Sequence, residues 1–433
     1  MVTVLTSKVL FFKKLNSSSY RVQGDMSHFS EVSYVDLPAV FHLSARHNAD
    51  QHPEKVNLTI GAYRNEAGKP WVLPVVTKAE SLLAADETLN KEYLSMGGLQ
   101  SFTDAATRLV LGENSPVINE DRAVALQSLS GTGALHLAFQ FIRQFYPGCK
   151  DILVSNPSWG NHKLMVDTIP GLNFVQYTYY DPATMGVDLE GMCRDLENAQ
   201  DGSVVVLHAC AHNPTGIDPT MAQWEKIAEV CKKKNHFPIF DLAYLGYATG
   251  DFDQDAASIR LFANLGFEFM VCQSFAKIMG LYCERIGCLI FAGKTAEIAH
   301  KCLSQMKIIV RSIYSNPPAH GARIASMCLN NREMRREWED CVKEMHARIR
   351  RSREYLHTAL KTLNVPGSWE HILQQNGMFS FTGLTKAQCE LMIEKHHVYL
   401  LKSGRISMCG ITKENAKYVA NAMNDAILNA KEN

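Results

Sequence analysis

The chain has 433 residues, 46% hydrophobic and 20% charged, a balance that permits a large buried core in about two or three domains. Lysine plus arginine equals aspartate plus glutamate at 44 each, so no net field points to nucleic acid or to an anionic membrane. No apolar run approaches the roughly 18 residues that a membrane span needs; the stretch from Ser203 to Leu207 is strand-sized. The 12 cysteines form no C-x-x-C pair and sit singly in apolar stretches, as at Cys210, Cys272, Cys288 and Cys302. That pattern suits free buried thiols better than disulfides or a zinc site.

In chain order, residues 1–25 come first and carry Lys8, Lys13, Lys14 and Arg21, several hydroxyl side chains and no acid before Asp25. The composition suits a mitochondrial transit peptide; the alternative is an extension upstream of Met26, the start of a cytosolic form. A cytoplasmic protein is expected, with the mitochondrial matrix as the alternative. From Trp71 to Lys343 strand-like and helix-like segments alternate. Ala125–Leu129, Asp151–Val154, Phe174–Tyr180, Ser203–Cys210, Ile239–Tyr244, Phe267–Gln273 and Cys288–Phe291 are short, nearly continuous apolar runs, as strands buried on both faces require. Amphipathic stretches such as Ala134–Phe145, Gln223–Lys234 and Ala256–Leu265 separate them, which predicts an α/β fold with a mostly parallel seven-stranded sheet between helices.

A long charged helix is predicted over Met334–Leu363. Strands Met378–Phe381, Val398–Leu401 and Arg405–Met408 and helices Gln388–His396 and Lys413–Asn429 follow. The predicted organisation is an extension over 1–25, a large domain over 71–343, and a smaller α/β domain of 26–70 with 344–433.

Three strand ends carry chemistry. Ser130-Gly131-Thr132-Gly133 opens a helix with small residues, so its backbone N–H groups could hold a phosphate; His136 replaces the third glycine of a dinucleotide fingerprint. In His208-Ala209-Cys210-Ala211-His212-Asn213-Pro214-Thr215-Gly216 the histidines lie four apart but at a strand end, without the glutamate of a zinc protease, so a metal is not expected. Asn213 offers an amide at the carboxyl edge of the sheet, where open α/β folds bind ligands. The third segment, Ser274 to Arg285, holds Lys277 with no acid within six residues, a candidate for a depressed pKa and for an imine with an aldehyde. Asp251-Phe252-Asp253-Gln254-Asp255 lacks the glycine and glutamate of a calcium loop.

Together these segments resemble the fold-type I pyridoxal-phosphate enzymes, and within them the aspartate aminotransferase (glutamic-oxaloacetic transaminase) family. The likeness runs from about Phe41 to Ile427 and is most specific at Ser274–Arg285, His208–Pro219, Asn316-Pro317-Pro318 with Gly321-Ala322-Arg323, and Gly377–Leu384. It implies a homodimer using pyridoxal 5′-phosphate. Lys277 would bind the cofactor covalently and shuttle a proton, and Asp241 would pair with the pyridine nitrogen. Asn213 and Tyr244 would bond the phenolic oxygen, Trp159 would stack on the ring, and His162 would stand behind Asp241. Ser130, Gly131, Thr132, Ser274 and Arg285 would hold the phosphate together with the partner's Tyr93. Arg405, helped by Gly61 and Asn213, would grip the α-carboxylate, and the partner's Arg311 the side-chain carboxylate.

Two fixed cations imply dicarboxylic substrates: aspartate, glutamate, oxaloacetate and 2-oxoglutarate. The alternative is a broad-range or aromatic aminotransferase on the same fold. The chain departs from the family pattern at Thr59, where glycine is typical, and at Leu242, Leu245, Ile278 and Cys283.

Overall fold

The computed structural model describes residues 27–36 and 38–431; the expected extension over 1–25 lies outside them. The chain divides into two units, Met1–Pro38 and Ala39–Asn433. In the first, a turn is closed by the Ser30 amide donating to Ser27 O at 3.1 Å. All that follows concerns the second.

Each of the seven apolar runs forms a strand: β1 Ala123–Leu129, β2 Asp151–Asn156, β3 Asn173–Thr178, β4 Val204–His208, β5 Phe237–Leu242, β6 Phe269–Ser274 and β7 Ile286–Ala292. They form one sheet in the order β1-β7-β6-β5-β4-β2-β3. Every pairing is parallel except those of β7, which runs against both β1 and β6. Successive residues of β4 feed two different cores: Val205 and Leu207 pack on one face, Val204 and Val206 on the other. Burial on both faces is why these runs show no alternation.

Helices Ser130–Phe145 and Ala296–Ile313 cover one face through Leu135, Phe139 and Met306. Helices Gln100–Leu111, Met221–Lys233 and Ala257–Asn264 cover the other through Phe102, Trp224 and Phe262. The helix predicted from Gln223 starts two residues earlier because Thr220 and Gln223 exchange hydrogen bonds in a capping box. The helix predicted from Lys413 starts only at Ala416, since Thr412 and Asn415 hold the preceding turn by a similar exchange. The strand predicted over Phe174–Tyr180 ends at Thr178, after which Tyr180–Asp181 pairs back on Gly186–Val187.

Helix Arg332–Thr362 is capped by Asn331 and runs unbroken across residues 343/344. Val56–Asn57 pairs in parallel with Val398–Tyr399, and Phe379–Phe381 antiparallel with Arg405–Ser407. The second pairing puts Arg405 opposite Phe381.

Candidate active site

The carboxyl ends of the central strands, with Gly61, Phe379 and Arg405, enclose a cavity of about 240 Å³. Larger hollows of about 610 Å³ beside Tyr146 and about 660 Å³ beside Asn415 have no comparable set of converging buried polar groups.

One wall forms where β1 turns into helix Ser130–Phe145. Ser130 adopts a left-handed φ of 63°, a conformation strained for a side-chain-bearing residue and typical of functional turns. Its Oγ lies 3.0 Å from Ser274 Oγ, and Ser128 Oγ donates to its carbonyl at 3.0 Å. Gly287 of β7 allows this packing, since a Cβ there would fall 2.4 Å from the Ser130 carbonyl carbon. A Cβ on Gly131 would come within 3.1 Å of Ser274 Cβ. The helix start therefore presents bare backbone N–H groups with the hydroxyls of Ser130, Thr132 and Ser274. Arg285, exposed and with φ 55°, donates to Tyr282 O at 2.7 Å beside this turn.

The floor is built at the end of β5. His162 Nε2 approaches Asp241 Oδ2 at 3.0 Å, and Ser158 Oγ lies 3.0 Å from His162 Nδ1 and 3.2 Å from His208 Nε2. Burial alone would raise the Asp241 pKa, but the His162 hydrogen bond, with the nearby imidazoles and the Lys277 amine, holds it below the ordinary carboxylate value. Across the cavity, Lys277 Nζ lies 5.2 Å from the Tyr244 ring centroid. Burial pushes the lysine below its ordinary value, Asp241 opposes the shift and Arg285 reinforces it. Trp159 stands edge-on to His162, ring centroids 5.3 Å apart.

The third wall is cationic. Arg405 is buried, its guanidinium 4.1 Å from the Phe379 ring centroid. Nη1 donates to Asn213 Oδ1 at 3.2 Å and Nη2 to Thr59 O at 3.0 Å, while Nε finds no partner among the described residues. Burial pushes its pKa down to about 10, with Tyr244 opposing, so the group stays charged at neutral pH. Gly61 leaves room beside Phe379, whose Cζ would be 3.4 Å from a Cβ there.

The cavity thus gathers Gly61, Ser130, Gly131, Thr132, Trp159, Asn213, Asp241, Tyr244, Ser274, Lys277, Arg285 and Arg405, which the sequence singled out in separate segments. Tyr93 and Arg311 are not brought to it. Tyr93 is 82% exposed, and the exposed Arg311 ends helix Ala296–Ile313 with Nη1 donating to Ser315 Oγ. The sequence did not single out Val40, Leu135, His208, Ala243, Ala276, Tyr282 or Phe379 for the cavity, although His208, Ala276, Tyr282 and Phe379 lie inside segments it marked. The two histidines four apart serve separate bonds: His212 meets Ser155 Oγ at 2.9 Å and Thr215 Oγ1 at 2.8 Å, whereas His208 meets Ser158. His162, His208 and Asp241 do place possible ligand atoms within 4.8 Å of one another, joined through Ser158. Of the departures, Leu242, Leu245 and Ile278 are fully buried core residues, and Cys283 is exposed.

A half-buried lysine of lowered pKa, a buried carboxylate with a fixed hydrogen-bond donor, and a helix start built of small and hydroxyl residues belong together. They match an aldehyde, a protonated ring nitrogen and a phosphate, the three handles of pyridoxal phosphate. The model of the class I and II aminotransferases matches residues 53–423, and the chain belongs to this family. It is a pyridoxal-phosphate-dependent transferase. Its relatives include the cytoplasmic aspartate aminotransferase of Gallus gallus, 45% identical over 93% of this chain and 98% of that protein. The structure of aspartate aminotransferase from Saccharomyces cerevisiae cytoplasm has a TM-score of 0.90 at 43% identity, covering 93% of this chain and 98% of the other. An aromatic-amino-acid aminotransferase from Burkholderia pseudomallei, covalently bound to pyridoxal phosphate, also has a TM-score of 0.90, at 38% identity over 93% of this chain and 100% of the other. Among the described residues no helix is long and apolar enough to cross a membrane.

Proposed function

We propose that the protein catalyses reversible amino transfer between L-aspartate and 2-oxoglutarate, giving oxaloacetate and L-glutamate in a ping-pong cycle. The observation that carries this reading is Arg405, a buried and charged guanidinium whose free edge shares a cavity with Lys277 and Asp241. A cation so placed selects a carboxylate at a fixed distance from the reacting carbon.

When bound, pyridoxal phosphate supplies an electron sink for the carbanion at the substrate's Cα. Lys277 would hold the cofactor and, once released by the substrate's amino group, would act as the base that moves the proton at the substrate's Cα. Asp241, held ionised by His162, would pair with the protonated ring nitrogen. Tyr244 and Asn213 would donate to the phenolic oxygen, and Trp159 would offer an aromatic face to the ring. Ser130, Gly131, Thr132, Ser274 and Arg285 would hold the phosphate.

Tyr93 and Arg311 complete the site of a second copy in a homodimer, Tyr93 at the phosphate and Arg311 at the substrate's side-chain carboxylate. Their exposure supports this: an exposed tyrosine and an exposed arginine on one chain suit contact with another. Within the second unit, residues 39–70 with 344–431 form a smaller domain beside the larger 71–343, a reading supported by the pairing of Val56–Asn57 with Val398–Tyr399. Its closure would exclude water from the carbanion. A cytoplasmic location follows the relatives named above, with the mitochondrial matrix as the alternative.

The reading is tested by the absorption spectrum of the purified holoenzyme. Aspartate should convert the bound-cofactor band to the amine form, and 2-oxoglutarate should restore it. A band indifferent to aspartate defeats the substrate assignment; no band after loading with pyridoxal phosphate defeats the enzyme itself. Comparable kcat/KM for phenylalanine and aspartate would favour the aromatic alternative.

A further inference from the structure

Thr59 lies outside the cavity lining yet bears on it from behind. Its side chain is fully buried at a position where family resemblance leads one to expect glycine. Thr59 Oγ1 lies 2.7 Å from Asn57 Oδ1 and 3.2 Å from Ser44 Oγ, and the Thr59 amide donates to the same Asn57 oxygen at 3.0 Å. An amide oxygen only accepts, so the Thr59 hydroxyl gives its single proton to Asn57 and Ser44 must donate to Thr59. The donor chain starts on helix Ala39–Ala49, which brings Val40 to the cavity wall, and ends on Asn57, whose strand is paired with Val398–Tyr399. The carbonyl of the residue so fastened receives Arg405 Nη2 at 3.0 Å. Among the described residues the guanidinium has only one other hydrogen-bond partner, Asn213. A glycine here would lack the hydroxyl and would free the backbone that carries this acceptor.

We infer that Thr59 is a positioning residue for the α-carboxylate site: held between Ser44 and Asn57, it fixes the carbonyl on which Arg405 rests. The inference builds on the role proposed for Arg405. Its effect belongs to carboxylate binding rather than to proton transfer, because the hydrogen bonds of Thr59 run to Ser44, Asn57 and Arg405 and not to Lys277 or Asp241.

The test uses the holoenzyme with Thr59→Ser, Thr59→Val, Thr59→Gly and Ser44→Ala, and with Arg405→Lys as reference. The readouts are KM and kcat for aspartate and 2-oxoglutarate, and the dissociation constant of succinate, a dicarboxylate that cannot react. Thr59→Ser should stay within about twofold of the parent. Thr59→Val and Thr59→Gly should weaken KM and succinate binding about five- to tenfold with kcat within about threefold, and Ser44→Ala should weaken them about two- to threefold. Should Thr59→Gly fail to fold, Thr59→Ser and Ser44→Ala still decide the matter. Unchanged succinate binding in the Thr59→Val and Ser44→Ala proteins, with Arg405→Lys impaired, overturns the role of Thr59. If Arg405→Lys also binds succinate normally, it is the underlying assignment of Arg405 that falls.

Discussion

His162 Nε2 stands 3.0 Å from Asp241 Oδ2, both side chains buried beneath the cavity floor. The bond does what solvent does for an exposed acid: it stabilises the negative charge, against a burial penalty that would otherwise neutralise it. Removing the acid and removing its donor should therefore differ in size. Asp241→Asn should lower kcat about 10²- to 10³-fold, and His162→Ala only about tenfold. Steady-state rates on fully loaded enzyme would rank the two. Equal losses would mean that the histidine acts on the reaction directly.

Lys277 lines the cavity of its own chain, whereas Arg311 is exposed and outside that chain's cavity. In a two-fold symmetric dimer each site would pair the lysine of one copy with the arginine of the other. Lys277→Ala and Arg311→Ala proteins, each nearly inactive on aspartate, should recover activity when unfolded together and refolded as a mixture. Random pairing gives hybrids in half the dimers with one intact site each, so about one quarter of parental activity is expected. No recovery, with hybrids present by mass measurement, would put both residues in the same subunit's site.

His208 and His212 are buried with ring centroids 4.3 Å apart. Burial pushes both well below 6.5; the neighbouring His212 adds to this for His208, and His162 for His212. Above pH 6.5 both are neutral, folded or unfolded, and cost nothing. Below it the unfolded chain takes up protons that the native state refuses, so stability falls with falling pH by up to about 1.4 kcal/mol per pH unit and histidine. The thermal midpoint should decline from pH 6.5 to 5, and His212→Gln should decline less steeply. Parallel curves for the two proteins would place the acid sensitivity elsewhere.

The sheet was readable because its strands are buried on both faces, which leaves runs such as Val204-Val205-Val206-Leu207 without a polar break. Lys277 and Asp241 stood out for the same reason, as charges at the ends of such runs. Helix Ala39–Ala49 left little mark, because only Leu43 along it is buried. The assembly of the site was less legible still. That Thr59 O and Asn213 meet Arg405 depends on contacts between segments 346 and 192 residues apart, which no local pattern encodes. Tyr93 and Arg311 show the opposite limit: resemblance selected them, and nothing within one chain's geometry would have.

The antiparallel strand β7 has a consequence for how the molecule is made. Among the described residues β1 is an edge strand paired only with β7, and Leu129 faces Ile286 in the register. On the ribosome β1 therefore emerges with its partner still about 160 residues from synthesis, a wait of roughly ten to thirty seconds. Throughout that interval its apolar face and open hydrogen-bonding edge are available to other chains. Within the seven-stranded sheet, the strand that ends in the strained Ser130 turn is thus the one that waits longest for a neighbour and gains most from a chaperone.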